Sequence, residues 1–209
     1  MRTELVFIID KSGSMGGLER DTIGGFNSML NKQKGLEGEC RITTALFNND
    51  YQLLHDRIDM AAVSPLTEED YQVGGSTALI DAIGITLDKI HNAQKNTAES
   101  HRAEKVIFVI ITDGEENASR EYTSDKIKAR IEEKKDKEGW EFIFLGANID
   151  TFTTASNLGI NPNRSISYVA DQEGIALNYE VMGEVMTSLR QNAPMPEAQL
   201  NRIRNRKRK

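Results

Sequence analysis

Three short stretches carry the side chains that could do chemistry. Asp10-Lys11-Ser12-Gly13-Ser14 sets a carboxylate and two hydroxyls at alternate positions. Val73-Gly74-Gly75-Ser76-Thr77 offers a further hydroxyl after two glycines, and Asp113-Gly114 offers a second carboxylate. Where a chain leaves a strand, residues two apart can turn toward one point, so Asp10, Ser12 and Ser14 can face a single ion, with Gly13 and Gly16 permitting the tight path. These stretches contain no His and no Cys. Carboxylate, hydroxyl and water oxygens suit a hard divalent cation, Mg²⁺ first, with Mn²⁺ or Ca²⁺ as alternatives. An ion held mostly by the neutral hydroxyls of Ser12, Ser14 and Thr77 keeps much of its charge and favours an anionic oxygen from outside. Asp10 is expected to act as a surface ligand rather than as part of the core.

The elements that must position these residues are legible in the apolar pattern. Glu4 to Ile9 is a short apolar run ending at Asp10, and Lys105 to Thr112 is another ending at Asp113. Both read as strands covered on two faces, hence central in a parallel sheet. Trp140 to Gly146 makes a third strand and Ser165 to Val169 a shorter fourth. Arg41 to Phe47 and Tyr51 to Ile58, separated by Asn48-Asn49-Asp50, read as a hairpin at one side. Helical spacing links Ile23, Phe26 and Leu30; Ile80, Ile83, Leu87 and Ile90; Ile127 and Ile131; and Ile175, Tyr179, Met182, Met186 and Leu189, the last after Asp171 as N-cap. A shorter helical piece covers Phe152 to Leu158. Strands alternating with helices imply a doubly wound, Rossmann-like α/β layer sandwich, in which ligands bind at the carboxyl ends of the strands, where all three stretches fall.

These residues resemble the von Willebrand factor type A domain with a complete metal-ion-dependent adhesion site. The family pattern is DxSxS after the first strand, a Thr in a glycine-rich loop before a helix, and an Asp in a TDG stretch after the central strand. The chain supplies Asp10-Lys11-Ser12-Gly13-Ser14, Gly74-Gly75-Ser76-Thr77 and Thr112-Asp113-Gly114 in that order. The resemblance implies a mostly parallel six-stranded sheet with one antiparallel edge strand and helices on both faces. It further implies that Ser12, Ser14 and Thr77 ligate the metal directly or nearly so, that Asp10 and Asp113 act directly or through water, and that a partner protein donates a Glu or Asp carboxylate as the last ligand. Small intracellular bacterial and phage members of this family act as scaffolds for larger assemblies, which sets the corresponding expectation here.

The chain has 209 residues and a formal charge of −6, enough for one sizeable core. A single domain over residues 1–193 is expected. No apolar run approaches the roughly 20 residues a membrane-spanning helix needs, and no secretory h-region follows Met1, so a soluble, cytoplasmic protein is expected. The lone Cys40 excludes an intrachain disulfide and any CxxC zinc knuckle, and is expected in or beside a strand as a small apolar residue.

Arg202 to Lys209 carries six positive charges, leaving −12 on residues 1–201. That acidic body argues against a duplex-binding surface. The segment 194–209 is expected to be a disordered basic tail, at most marginally helical. It could serve as a solubilising extension, as a docking arm for nucleic acid or an acidic protein, or as an address signal, or it could fold back on the acidic body.

Enzyme readings find little support. A haloacid-dehalogenase-type phosphatase needs a second Asp where Ser12 stands, and Ser12-Gly13-Ser14-Met15-Gly16 lacks the glycine that a GxSxG elbow requires. His55, His91 and His101 are scattered and expected at the surface. There is neither a GxxxxGK[ST] nor a GxGxxG motif. The expectation is therefore a non-catalytic, metal-dependent protein-binding module. A metal-dependent phosphohydrolase, or a nucleic-acid-associated scaffold working through the tail, are the alternatives. Glu115 and Glu116 read as a solvated acidic turn, and Met182 and Met186 as core.

Overall fold

The computed structural model describes residues 1–206. Six strands form one sheet: β1 (Thr3–Asp10), β2 (Cys40–Phe47), β3 (Tyr51–Asp59), β4 (Lys105–Thr112), β5 (Glu141–Gly146) and β6 (Ser165–Ser167), in the spatial order β3-β2-β1-β4-β5-β6. All neighbours are parallel except the β2–β3 hairpin, which supplies the antiparallel edge. The mostly parallel doubly wound sheet and its single antiparallel edge strand are therefore as the sequence implies. The last strand is shorter than its apolar pattern, ending at Ser167.

Strand residues alternate between two cores, as the two-residue period of a strand requires. Leu5, Phe7, Ile9, Ile107, Val109 and Ile111 face α1 (Glu19–Lys34) and α5 (Gln172–Arg190). Val6, Ile8, Val106, Phe108 and Ile110 face α2 (Leu79–Lys95), α3 (Ser124–Glu138) and α4 (Thr151–Asn157). Met182 and Met186 are fully buried in the first core, and Cys40 is a buried free thiol at the start of β2. Asp171 caps α5 by accepting the Gly174 amide at 2.8 Å.

The basic tail departs from expectation. Residues 197–204 form α6 (Glu197–Arg204), whose Leu200 and Ile203 are buried in the α1–α5 core. Arg202 pairs with Glu180 and Glu184 on α5, and Arg206 lies 2.7 Å from an Asp171 carboxylate oxygen. A composition dominated by Arg and Lys hides two apolar residues at helical spacing, and those, with acidic partners on α5, dock the segment. Over residues 194–206 the fold-back alternative replaces the disordered extension. Residues 207–209 lie outside the described residues.

Candidate metal centre

The chain reverses its winding direction between β1 and β4: β1 leads outward to β2 on one side, while β4 pairs on the other. Crossovers leave in opposite directions there, opening a crevice at the carboxyl ends of the strands. Asp10 ends β1, and Asp113 follows Thr112, the last residue of β4. Chain separation between these two residues is thus cancelled by strand adjacency.

The five sequence-predicted residues meet in this crevice. Ser12 Oγ and Ser14 Oγ lie 3.0 Å apart, and Ser14 Oγ donates to Asp113 Oδ1 at 2.5 Å. A Cβ at Gly114 would fall 3.0 Å from both Ser14 Oγ and Thr77 Oγ1 and 3.7 Å from Ser12 Oγ, so the three hydroxyls gather on the side of Gly114 where a side chain would stand. Asp10 Oδ1 accepts the Ser12 amide at 2.7 Å, which holds the loop in its turn. Contrary to expectation, Asp10 is not at the surface; it is fully buried, as Asp113 nearly is.

Burial raises the Asp10 carboxyl above its ordinary value, against hydrogen bonds from Thr112 and Ser12. Asp113 is raised by burial too, and the nearby Asp10 charge adds to the effect despite the Ser14 hydroxyl. Asp113 Oδ2 is buried with no hydrogen-bond partner among the described residues. A buried carboxylate oxygen with no partner is costly unless something cationic satisfies it. Among the described residues no group of three or more His, Cys, Asp or Glu side chains is placed to hold a metal. The donors here are two carboxylates and three hydroxyls, a set fitted to a hard cation and not to zinc.

Supporting residues escaped the sequence reading. Thr112 Oγ1 donates to Asp10 Oδ2 at 2.6 Å. Buried Tyr71 donates to the Asp10 carbonyl. Asn117 Oδ1 accepts the Thr77 amide at 2.9 Å, and Asn48 Nδ2 donates to the Gly74 carbonyl at 2.8 Å. Gly75 sits at φ +78°, a left-handed conformation that strains any other residue, and a Cβ there would displace Asn49 Oδ1, 2.1 Å away. Thr112 was visible inside the TDG stretch; the single residues Tyr71, Asn117 and Asn48 carry no pattern that announces them.

Glu116 also corrects the reading of a solvated turn. Its carboxylate accepts the amides of Ile80, Ala118 and Ser119, so it caps the start of α2 and holds the Thr77 segment against the Asp113 loop. His55, expected at the surface, is buried with Nδ1 3.0 Å from Thr44 Oγ1, and His91 Nδ1 meets Lys134 Nζ at 2.7 Å.

The model of the von Willebrand factor type A domain matches residues 4–178. The chain belongs to that family. No curated protein matches it. Among solved structures, this type A domain is similar to the ArnB paralog VWA2 from Sulfolobus acidocaldarius (TM-score 0.57, 17% identity, 88% of this chain and 44% of that one). It is also similar to the von Willebrand factor domain of the type V pili tip protein Mfa5 from Porphyromonas gingivalis (0.59, 13%, 88% and 95%). A third is the PilB minor pilin from Streptococcus sanguinis (0.59, 12%, 93% and 62%). At these identities the likeness is one of fold. The chain spans less than half the length of the Sulfolobus protein. Among the described residues no helix of the type A domain is long and apolar enough to cross a membrane.

Proposed function

We propose that this type A domain is a non-catalytic protein-binding module in which a divalent cation, Mg²⁺ by donor chemistry, accepts an Asp or Glu carboxylate from a partner protein. Type A domains commonly mediate metal-dependent protein interaction, and the convergence of five oxygen-bearing side chains supports that role here. The observation that carries the reading is the buried Asp113 Oδ2, without a hydrogen-bond partner among the described residues, beside a second buried carboxylate. Asp10, Ser12, Ser14, Thr77 and Asp113 would hold the ion, with Thr112 and Tyr71 positioning Asp10. Bound there, the ion would supply the positive charge that attracts an incoming carboxylate, and without it Asp10 and Asp113 would repel that group. Mn²⁺ or Ca²⁺ would be accepted by the same oxygens.

The alternatives have weaker support. A phosphohydrolase needs a base near Ser12 or Ser14 that is free of the ion; the histidines sit on other elements, with His55 bonded to Thr44 and His91 to Lys134, and Asp113, which accepts from Ser14, is one of the carboxylates assigned to the ion. A nucleic-acid arm needs free cations, whereas the tail's three arginines among the described residues, Arg202, Arg204 and Arg206, pair with Glu180, Glu197 and Asp171. The small intracellular type and a cytoplasmic setting accord with the single buried thiol of Cys40.

The test is calorimetric titration of Mg²⁺ into the metal-stripped chain, paired with partner capture in Mg²⁺ and in chelator. Asp113→Asn keeps the shape and removes the charge. The expected result is saturable Mg²⁺ binding and chelator-sensitive capture, both lost in Asp113→Asn with the melting temperature retained. Capture that is equal in chelator would overturn the reading.

A further inference from the structure

A carboxylate approaching the proposed ion crosses ground mostly of its own sign, since Lys11 in the metal loop turns its ammonium to Gln52 Oε1. Beside the metal loops lies an open groove of about 500 Å³ whose charged lining is Glu19, Asp21 and Glu68 against Arg20, with Ile23 and Val73 as apolar floor. Arg20 does little to neutralise it: its guanidinium is 4.0 Å from Glu68, and the two side chains are 92% and 79% exposed.

The groove is continuous with the metal loops. Tyr71, which lines it, bonds the Asp10 carbonyl, and Gly74, next to Val73, donates its amide to the Lys11 carbonyl at 2.9 Å. A second groove of about 230 Å³ adjoins Thr77 through Ala78, and its lining holds Asp50, Asp81 and Glu121 with no Lys or Arg. Exposed Glu115 stands two residues beyond Asp113.

A uniformly acidic partner would be repelled by this rim before its carboxylate reached the ion. A segment with one acid among cations would be drawn in. We propose that the partner is a basic segment in which a single Asp or Glu, flanked within a few residues by Lys or Arg, sets its carboxylate toward the metal and its cationic heads into the groove of Glu19, Asp21 and Glu68. Lysine and arginine suit that groove twice over, because their aliphatic stems can lie on Ile23 and Val73 while the heads meet the carboxylates. The inference rests on the metal-and-carboxylate reading above and adds the partner's charge pattern to it.

Fluorescent, end-capped peptides in a Gly/Ser background test it by anisotropy with the full chain. One carries a central Asp flanked by Lys, one a central Asp flanked by Glu, and one a central Asn flanked by Lys, each measured in Mg²⁺ and in chelator at low salt. The Lys-flanked Asp peptide should bind about tenfold or more tighter than the Glu-flanked one, and should need both Mg²⁺ and the central Asp. Asp21→Lys combined with Glu68→Lys should erase the preference while the Mg²⁺-induced melting shift persists. Equal Mg²⁺-dependent binding of the Lys-flanked and Glu-flanked Asp peptides would overturn this inference and leave the metal reading standing. Binding of Lys-flanked peptides irrespective of Mg²⁺ or of the central Asp would reduce the groove to plain charge attraction and overturn it too. No Mg²⁺-dependent binding of any peptide would overturn both readings.

Discussion

Tyr71 Oη donates a 2.5 Å hydrogen bond to the main-chain oxygen of Asp10, tying a buried loop tyrosine to the last residue of β1. The bond fixes where the chain leaves the sheet, and with it the direction in which Ser12 and Ser14 are presented. Tyr71→Phe removes the donor and leaves a buried carbonyl short of a partner, a loss of about 1–3 kcal/mol. Denaturant midpoints should fall accordingly, and the Mg²⁺-induced gain in stability should shrink. An unchanged Mg²⁺ response would show that Tyr71 serves packing alone.

Gly114 tests whether the three hydroxyls act as one group. An added Cβ would sit 3.0 Å from Ser14 Oγ and Thr77 Oγ1, so those oxygens must move apart by a few tenths of an ångström. Gly114→Ala should therefore weaken Mg²⁺ binding about tenfold or more, equivalent to ~1.4 kcal/mol, while the metal-free melting temperature changes little. Calorimetric titration reads the first effect and thermal denaturation the second.

The raised carboxyls of Asp10 and Asp113 make a pH signature. Burial is the main cause in both, with the Asp10 charge adding to Asp113. Because the folded values lie above the unfolded ones, the folded chain holds more protons within that window, so their contribution to metal-free stability is lost as pH rises through it. An ion needs the deprotonated carboxylates, so its stabilisation should grow over the same range. Melting curves in Mg²⁺ and in chelator, from about pH 4 to pH 7, should separate as pH rises. A constant separation would contradict metal binding by these two groups.

The C-terminal helix is part of the core. Leu200, on α6, is fully buried against α5 and the sheet, so Leu200→Ala should cost about 2–5 kcal/mol by transfer and cavity terms together. Chemical denaturation measures this directly, and a change near zero would restore the view of the tail as a detached extension. The ion pairs of Arg202 with Glu180 and Glu184 are half exposed, and raising salt should weaken them without detaching the helix.

Much of this was readable from the chain. Continuous apolar runs ending at Asp10 and Asp113 identified β1 and β4 as strands buried on both faces, and their two-residue period is what splits Val6 and Leu5 between opposite cores. Asn48-Asn49-Asp50 marked the hairpin because turns need those residues. The tail was less legible, since its charge outweighs Leu200 and Ile203 in any composition. His55 and Glu116 were misread for a related reason: an isolated polar residue gives no sign of whether Thr44, or the Ile80 amide, awaits it.

The sequence by itself determined the layer architecture and the chemistry of the five oxygen donors, because local periodicity and residue type are properties of the chain. The family resemblance already implied that Thr77 and Asp113 join Ser12 and Ser14; only the tertiary structure decided that they do so beside Gly114, that Asp113 Oδ2 is left without a hydrogen-bond partner among the described residues, and that acidic grooves border the same loops. Strand order places β1 against β4 across about a hundred residues of chain, and no local pattern encodes which distant side chains that adjacency brings together.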